Sequence, residues 1–494
     1  MTDSEHADSS PRPSARKIAF GAGALGAVSV VKMLLQMITL PLMARLLGPA
    51  EFGLYSLAIP VVAVAGTLAD GGLGMSLMKE PDSSPIWSTA FWALLGIGVA
   101  LALVLTGAGF GMGAVLHEPK LPGIMAALSV TMVLLTITVP PLARLDRQGR
   151  IAVGAGADMM GNILGVCVGV FLAFRGAGAW SLVGQYLTIY VTRAVLINRA
   201  AFKMPKFEFR PKTLVSHFAT GELVVGVRIA DFAGRMAESI CMARGLGTAS
   251  VGVYVFSNQI PRFVSESFSS PLWLSLYVRA LREEKQGIVA LHRQFSRLLG
   301  MLLFPAAALF LVTAPKLIPV FLDEKWVHAT PLMQILFPAY VLNVIASQNG
   351  ALLMAYNRYQ NQLYCTIGLS VGRIIAVCLG PWIGLTGVAW GVGACHVVYA
   401  GVMIFGSTRA TGCSAPPVLR GLAGPLAASG FAGAVAWIYL RDWGNDVTNL
   451  AVSLGLGAFA YCAAVALCDR KHLVSDLEML RNVIGLRRRA VPAA

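Results

Sequence analysis

The chain has 494 residues, 56% of them hydrophobic and only 13% charged, with a mean hydropathy of +0.69. A soluble domain carries about 25% charged residues, so this composition excludes a soluble fold and describes a protein that crosses a bilayer many times. The formal net charge of +15 is no sign of nucleic-acid binding, because the positive charge alternates between loops instead of forming one basic domain.

Residues 1–15 are polar and proline-containing and predict a disordered tail. Arg16 and Lys17 precede a first span over about 18–42. That run is longer than the roughly 7–15 residues of a signal-peptide core, and Lys32 interrupts it, so it reads as an uncleaved span. Apolar windows then recur at about 52–78, 86–110, 123–143, 151–174, 178–198, 214–243, 250–276, 296–314, 330–354, 360–382, 385–406, 417–440 and 447–468. With the first they make fourteen spans, an all-α integral membrane protein with both termini on one side.

The sidedness follows from lysine and arginine. One set of loops includes Arg144 to Arg150, Arg199 to Lys212, Arg279 to Arg297 and Arg358; with Lys79, Arg409, Arg420 and the two tails it carries 26 cationic residues. The opposite loops carry seven: Arg45, Lys120, Arg175, Arg244, Lys316, Lys325 and Arg441. The positive-inside rule then places both termini in the cytoplasm. Outer connections are short, the longest being about 15 residues near Pro315–Thr330.

The sequence also repeats. M-A-R-L-L-G-P-A-E-F-G-L-Y at 43–55 aligns with M-A-R-G-L-G-T-A-S-V-G-V-Y at 242–254, eight of thirteen positions being identical. A weaker echo pairs A-G-A-W at 177–180 with G-V-A-W at 387–390. Spans 1–6 (residues 16–199) and 7–12 (214–410) therefore read as parallel repeats. They are joined by a linker at 200–213 and followed by spans 13–14 (411–470) and a basic tail (471–494).

Six cations lie within the spans: Lys32, Arg193, Arg228, Arg235, Arg262 and Arg373. Span 7 carries Arg228, Asp231, Arg235 and Glu238, whose helical spacing confines them to an arc of roughly 80°. A charge at the bilayer centre costs about 2.5–3.5 kcal/mol, and four facing lipid would cost on the order of 10 kcal/mol. An apolar residue returns only about 0.3–0.6 kcal/mol, so the stripe must face protein or water. Asp70, Asp158 and Glu266 are further intramembrane acids. Spacing suggests pairs within one helix, Arg228 with Asp231, Asp231 with Arg235, Arg235 with Glu238, and Arg262 with Glu266. Arg193 reads as a snorkelling anchor, and Asp70 and Arg373 read either as residues near the interfaces or as part of the charged set within the spans. Together these charges predict a hydrated, net cationic cavity between two six-helix halves. Arginines suit an anionic, phosphate-bearing substrate, and buried carboxylates suit a coupling proton or sodium ion.

Two catalytic signatures are absent from the sequence: it has no Gly-Lys dipeptide for a phosphate-binding loop and no H-E-x-x-H. The eight cysteines form no C-x-x-C and read as small packing residues, with no metal site implied.

A-R-L-L-G-P-A-E-F-G-L-Y-S-L-A, followed by L-A-D-G-G-L-G, resembles the opening of the Wzx-type polysaccharide flippases of the multidrug/oligosaccharidyl-lipid/polysaccharide superfamily. F-L-D-E-K-W-V-H-A-T-P-L-M at 321–333 resembles the family's outer-loop pattern, with Leu322-Asp323 standing where Leu-Gly is commoner, and G-L-T-G-V-A-W at 384–390 resembles the turn before span 12. The resemblance covers about residues 15–410. It implies a V-shaped, two-lobed transporter of the bacterial inner membrane, not an enzyme. It implies outward movement of undecaprenyl-pyrophosphate-linked oligosaccharide by alternating access, without ATP. A polymerase and a chain-length regulator are the implied protein partners, alongside membrane lipid. Matching by span and charge assigns substrate binding to Lys32, Arg228, Arg235, Arg262 and Arg373, and ion coupling by H+ or Na+ to Asp70, Asp231, Glu238 and Glu266. The rival readings are a multidrug antiporter of the same superfamily, whose cationic substrates suit an acidic cavity, a membrane polymerase or ligase, which needs longer outer loops, and a structural partner of a synthase, in which the charge stripe would be dispensable.

Overall fold

The computed structural model describes residues 15–70, 73–78, 80, 84, 86–206, 222–281, 285–356, 358–411, 416–442 and 447–468. They are almost wholly helical, as the bilayer requires of backbone groups that have no water to bond. In order the helices are α1 (Ala15–Asp70), α2 (Leu73–Leu77), α3 (Ile86–Leu116), α4 (Leu121–Arg147), α5 (Ile151–Phe174), α6 (Trp180–Ala201), α7 (Glu222–Leu246), α8 (Thr248–Ala280), α9 (Lys285–Leu322), α10 (Ala329–Ala355), α11 (Tyr359–Leu379), α12 (Leu385–Thr411), α13 (Pro416–Asp442) and α14 (Val447–Cys468). Helix α1 is broken at Gly48 and supplies two segments, so the fourteen predicted spans are matched in order by long helical segments, with α2 a short addition. Among the described residues, ten stretches are long and apolar enough to cross a membrane by length and composition. Large apolar side chains such as Ile38, Leu103, Val104, Phe110 and Leu467 point outward, as lipid-facing residues do.

Two predicted loops are helix instead. The 279–295 loop is mostly the start of α9, which begins at Lys285. Leu291, Phe295, Leu298 and Leu299 are buried at i, i+4, i+7 and i+8, so one apolar face continues beyond the predicted span. The outer connection near Pro315–Thr330 is shorter than expected for the same reason. Ala314, Ile318 and Leu322 are buried at four-residue spacing along α9. The connection to α10 is residues 323–328, which include a 3-10 turn, Glu324–Trp326.

The chain divides into two compact units. The first comprises Met1–Leu47 and Leu54–Met236; the second comprises Gly48–Gly53 and Ala237–Ala494. In the first, α3 packs on α4 and α5 on α6. Gly161, Gly165 and Gly169 form a stripe on α5, and a Cβ at these positions would meet Gln185, Ile189 or the Ser181 carbonyl of α6. Small residues every four positions are what let two membrane helices approach this closely. In the first unit, Arg193 of α6 also pairs with Asp158 of α5 at 3.0 Å. In the second unit, α9 packs on α13, and α10 packs on α8 and α12.

The repeat has a physical basis in the second unit. Gly48 (φ 75°, ψ 169°) and Gly247 (φ 82°, ψ 167°) occupy equivalent repeat positions with nearly the same backbone, one that side chains other than glycine rarely adopt. Five residues on from each, a reciprocal contact appears. A Cβ at Gly53 would strike the Thr248 carbonyl, and a Cβ at Gly252 would strike the Pro49 carbonyl. Pro49 and Thr248, like Gly53 and Gly252, are aligned positions of the repeat.

Beside this crossing, Trp326 is fully buried. Its ring meets Phe256 at 4.7 Å and Phe52 at 5.8 Å between centroids. Asp323, which precedes that turn, has φ 85° and ψ 159°, and its carboxylate accepts a hydrogen bond from the Glu324 backbone N–H at 2.8 Å. This left-handed backbone explains why glycine is the commoner residue there. Asp323→Gly is therefore expected to raise stability by about 1 kcal/mol, relief of backbone strain outweighing the few tenths lost with the cap. Thermal unfolding in detergent would check this, and a lower melting temperature would show that the cap dominates.

Candidate functional site

The second unit contains a buried ion pair. Arg373 Nη2 of α11 donates to Glu238 Oε2 of α7 at 2.8 Å. Glu238 is only 6% exposed, and the Arg373 side chain is 20% exposed. Arg373 is thus no interfacial bystander. It reaches inward because a desolvated carboxylate on a neighbouring helix needs a cation. Glu238 finds a partner 135 residues away, which spacing along its own helix does not suggest.

Three more helices bring polar groups to this pair. Tyr254 of α8 and Tyr340 of α10 lie within electrostatic reach of Arg373, and Tyr254 lies beside Asn258 one turn along α8. His396 of α12 is 1% exposed, also feels the Arg373 charge, and packs its ring 4.8 Å from that of Tyr340. Several polar atoms here are buried without a partner among the described residues: both His396 ring nitrogens, Asn258 Oδ1 and Arg373 Nε, while the Tyr254 hydroxyl lies within hydrogen-bonding reach of the Asn258 side chain. A buried polar atom left unbonded costs about 1–3 kcal/mol, so several in one place mark a site for water or a ligand and not mere packing. The unpaired set offers the Arg373 Nε–H and one imidazole N–H as donors, suited to an acceptor such as an oxyanion.

Sequence reasoning missed Tyr254, Tyr340 and His396. Tyr254 was accessible as the residue one turn before Asn258, on the face that continues through Arg262. His396 stands alone in an apolar span with no spaced partner to draw attention to it.

The other predicted site residues divide into two groups. Lys32 is exposed on α1, and Arg235 and Arg262 are partly buried on α7 and α8. Asp70, Arg228, Asp231 and Glu266 lie outside the residues whose side chains are described. A separate shallow cleft in the first unit, lined by Trp87, Arg144, Phe202 and Lys203, contains none of the predicted site residues.

His396→Phe removes two hydrogen-bonding nitrogens from a site read as holding water or a ligand, so it is expected to destabilise the protein by about 1–2 kcal/mol, read as a lower melting temperature. A rise instead would show that the imidazole is unbonded and that an apolar ring packs better there.

Comparison with known proteins agrees with this architecture. The succinoglycan biosynthesis transport protein ExoT of Rhizobium meliloti is 24% identical, over 93% of this chain and 94% of its own length. The lipopolysaccharide biosynthesis protein WzxC of Escherichia coli is 22% identical, over 67% and 68% respectively. The lipid II flippase MurJ in an inward closed conformation superposes with a TM-score of 0.74 at 11% identity, covering 91% of this chain and 99% of that one, and shows the shared fold. An inward-facing multidrug resistance transporter of the MATE family superposes with a TM-score of 0.59 at 14% identity, over 77% and 95%. Residues 42–331, more than half of the sequence, match the family described as polysaccharide biosynthesis protein, and the chain belongs to that family.

Proposed function

We propose that the chain is a flippase that moves undecaprenyl-pyrophosphate-linked oligosaccharide from the inner to the outer leaflet of the bacterial inner membrane by alternating access, for exopolysaccharide, capsule or O-antigen assembly. The observation that carries this reading is a guanidinium held deep in an apolar bundle by one carboxylate, with its Nε–H still unbonded and other buried donors around it. Arginine binds phosphate through two parallel N–H bonds, and this Arg373 retains the donors to do so. A transport protein and a lipopolysaccharide biosynthesis protein among its relatives support the same reading. The buried arginine disfavours a multidrug antiporter, whose cationic substrates it would repel.

In this account the diphosphate competes with Glu238 for Arg373, while Lys32, Arg228, Arg235 and Arg262 supply further positive charge. Protonation of Glu238 removes the competitor and frees the guanidinium. Asp70, Asp231 and Glu266 complete the set of carboxylates for coupling to H+ or Na+. Both termini lie in the cytoplasm, and a polymerase with its chain-length regulator takes up the delivered units.

The test is complementation of a deletion strain. Arg373→Ala is expected to abolish polymer output and leave lipid-linked units facing the cytoplasm. Arg373→Lys, which keeps the charge and loses the planar fork, should restore only part of it. Full polymer output from Arg373→Ala at equal membrane abundance would contradict the proposal. Lys32→Ala, altering an exposed residue, should lower output without changing the melting temperature; unchanged output would remove Lys32 from the site.

A further inference from the structure

Near the same ion pair, two thiols from different helices nearly touch. Cys241 of α7 and Cys378 of α11 place their sulfurs 2.7 Å apart, and both are free cysteines. A disulfide needs about 2.05 Å, so a small side-chain movement joins them. The helices are close enough for this beyond the sulfurs as well: at Gly245, a Cβ would lie 2.7 Å from Pro381 Cβ, and glycine leaves that space open. Both cysteines lie near the ends of their helices, which finish at Leu246 and Leu379. Cys378 is exposed and Cys241 is half-buried.

We propose that Cys241 and Cys378 form an oxidation site, converted by hydrogen peroxide or a related hydroperoxide into a disulfide that staples α7 to α11. The exposed Cys378 thiolate attacks the peroxide O–O bond and becomes a sulfenic acid, and one water leaves after protonation. The Cys241 thiol then attacks the sulfenic sulfur and passes its proton to the departing hydroxyl; the S–S bond forms and a second water leaves. Two thiols and one peroxide give one disulfide and two waters; the sulfurs lose the two electrons that peroxide gains.

The position of the staple gives it a consequence. Cys241 lies three residues after Glu238, and Cys378 lies five after Arg373. A bond between them fixes the two helices whose separation would release Arg373. This second step rests on the flippase reading above: the oxidised chain holds the ion pair closed and stops translocation until the disulfide is reduced.

The experiment uses the full chain in native membranes, as wild type and as Cys378→Ser. The membranes are treated with hydrogen peroxide and alkylated, and the peptides are mapped by mass spectrometry. The expected product is the Cys241 peptide joined to the Cys378 peptide, two hydrogens lighter than the sum of the reduced pair. It should disappear with dithiothreitol and be absent from Cys378→Ser. Peroxide that oxidises the exposed Cys462 while Cys241 and Cys378 both remain open to alkylation would overturn the site. In the same membranes, translocation of a labelled prenyl-pyrophosphate glycan should be lost on oxidation and recovered on reduction in the wild type, and should not change in Cys378→Ser. A disulfide that forms without slowing translocation overturns the lock. A disulfide that forms in a chain translocating nothing in either redox state supports the oxidation site and overturns the flippase reading.

Discussion

Arg373→Ala is expected to destabilise the protein by about 3–5 kcal/mol, because it takes from the buried Glu238 carboxylate the guanidinium that pairs with it at 2.8 Å. Glu238→Ala should cost a similar amount, since the guanidinium then loses its counter-charge. These losses do not measure what the pair contributes relative to an apolar core. Replacing both partners together, as Glu238→Leu with Arg373→Met, removes the desolvation cost as well as the attraction. The double variant should therefore return to within about 1–2 kcal/mol of the wild type while translocation remains lost. Thermal unfolding in detergent, read beside polymer output, separates the two effects. A double variant as unstable as either single one would show that the helices need these side chains for packing, and a double variant that still exports polymer would remove the pair from the mechanism.

The second large effect belongs to the repeat. Gly53→Ala should cost about 3 kcal/mol or more, at the top of the usual overpacking range, because the new methyl strikes the backbone carbonyl of Thr248 instead of a side chain that could turn away. Gly252→Ala should cost the same through the carbonyl of Pro49. The two substitutions press apart the same pair of helix starts, so the double variant should cost less than the sum of the singles. Gly107→Ala on α3, where an added Cβ meets nothing within 4 Å, is the control and should be neutral or stabilising by up to about 1 kcal/mol. Membrane abundance and melting temperature measure all four variants. Equal behaviour of Gly53→Ala and Gly107→Ala would show that the crossing is looser than described.

The fold was largely legible, since each apolar window is long enough to form a helix that spans the bilayer. The errors arose where a helix outlasts the apolar window. Residues 285–295 contain enough Lys, Arg and Gln to read as a loop, yet Leu291 and Phe295 keep the core-facing period of α9. The thirteen-residue repeat was visible as letters, while the reciprocal contact of its glycines needed coordinates. In the site, Glu238 announced itself as a charge that lipid would reject. Its partner did not, because helical spacing reveals neighbours three or four residues away, and Arg373 stands on another helix. His396 was hidden for the same reason, since its neighbours Tyr340 and Arg373 come from different helices.

The most direct measurement of the central claim is translocation by the purified chain in sealed proteoliposomes containing a fluorescent prenyl-pyrophosphate oligosaccharide and, separately, the same glycan on an uncharged prenyl ether. The account predicts that the pyrophosphate-linked glycan crosses and becomes accessible to an external quencher, that the uncharged analogue crosses much more slowly, and that Arg373→Ala abolishes the difference. Equal rates for the two substrates, or an Arg373→Ala variant as fast and as selective as the wild type, would contradict it.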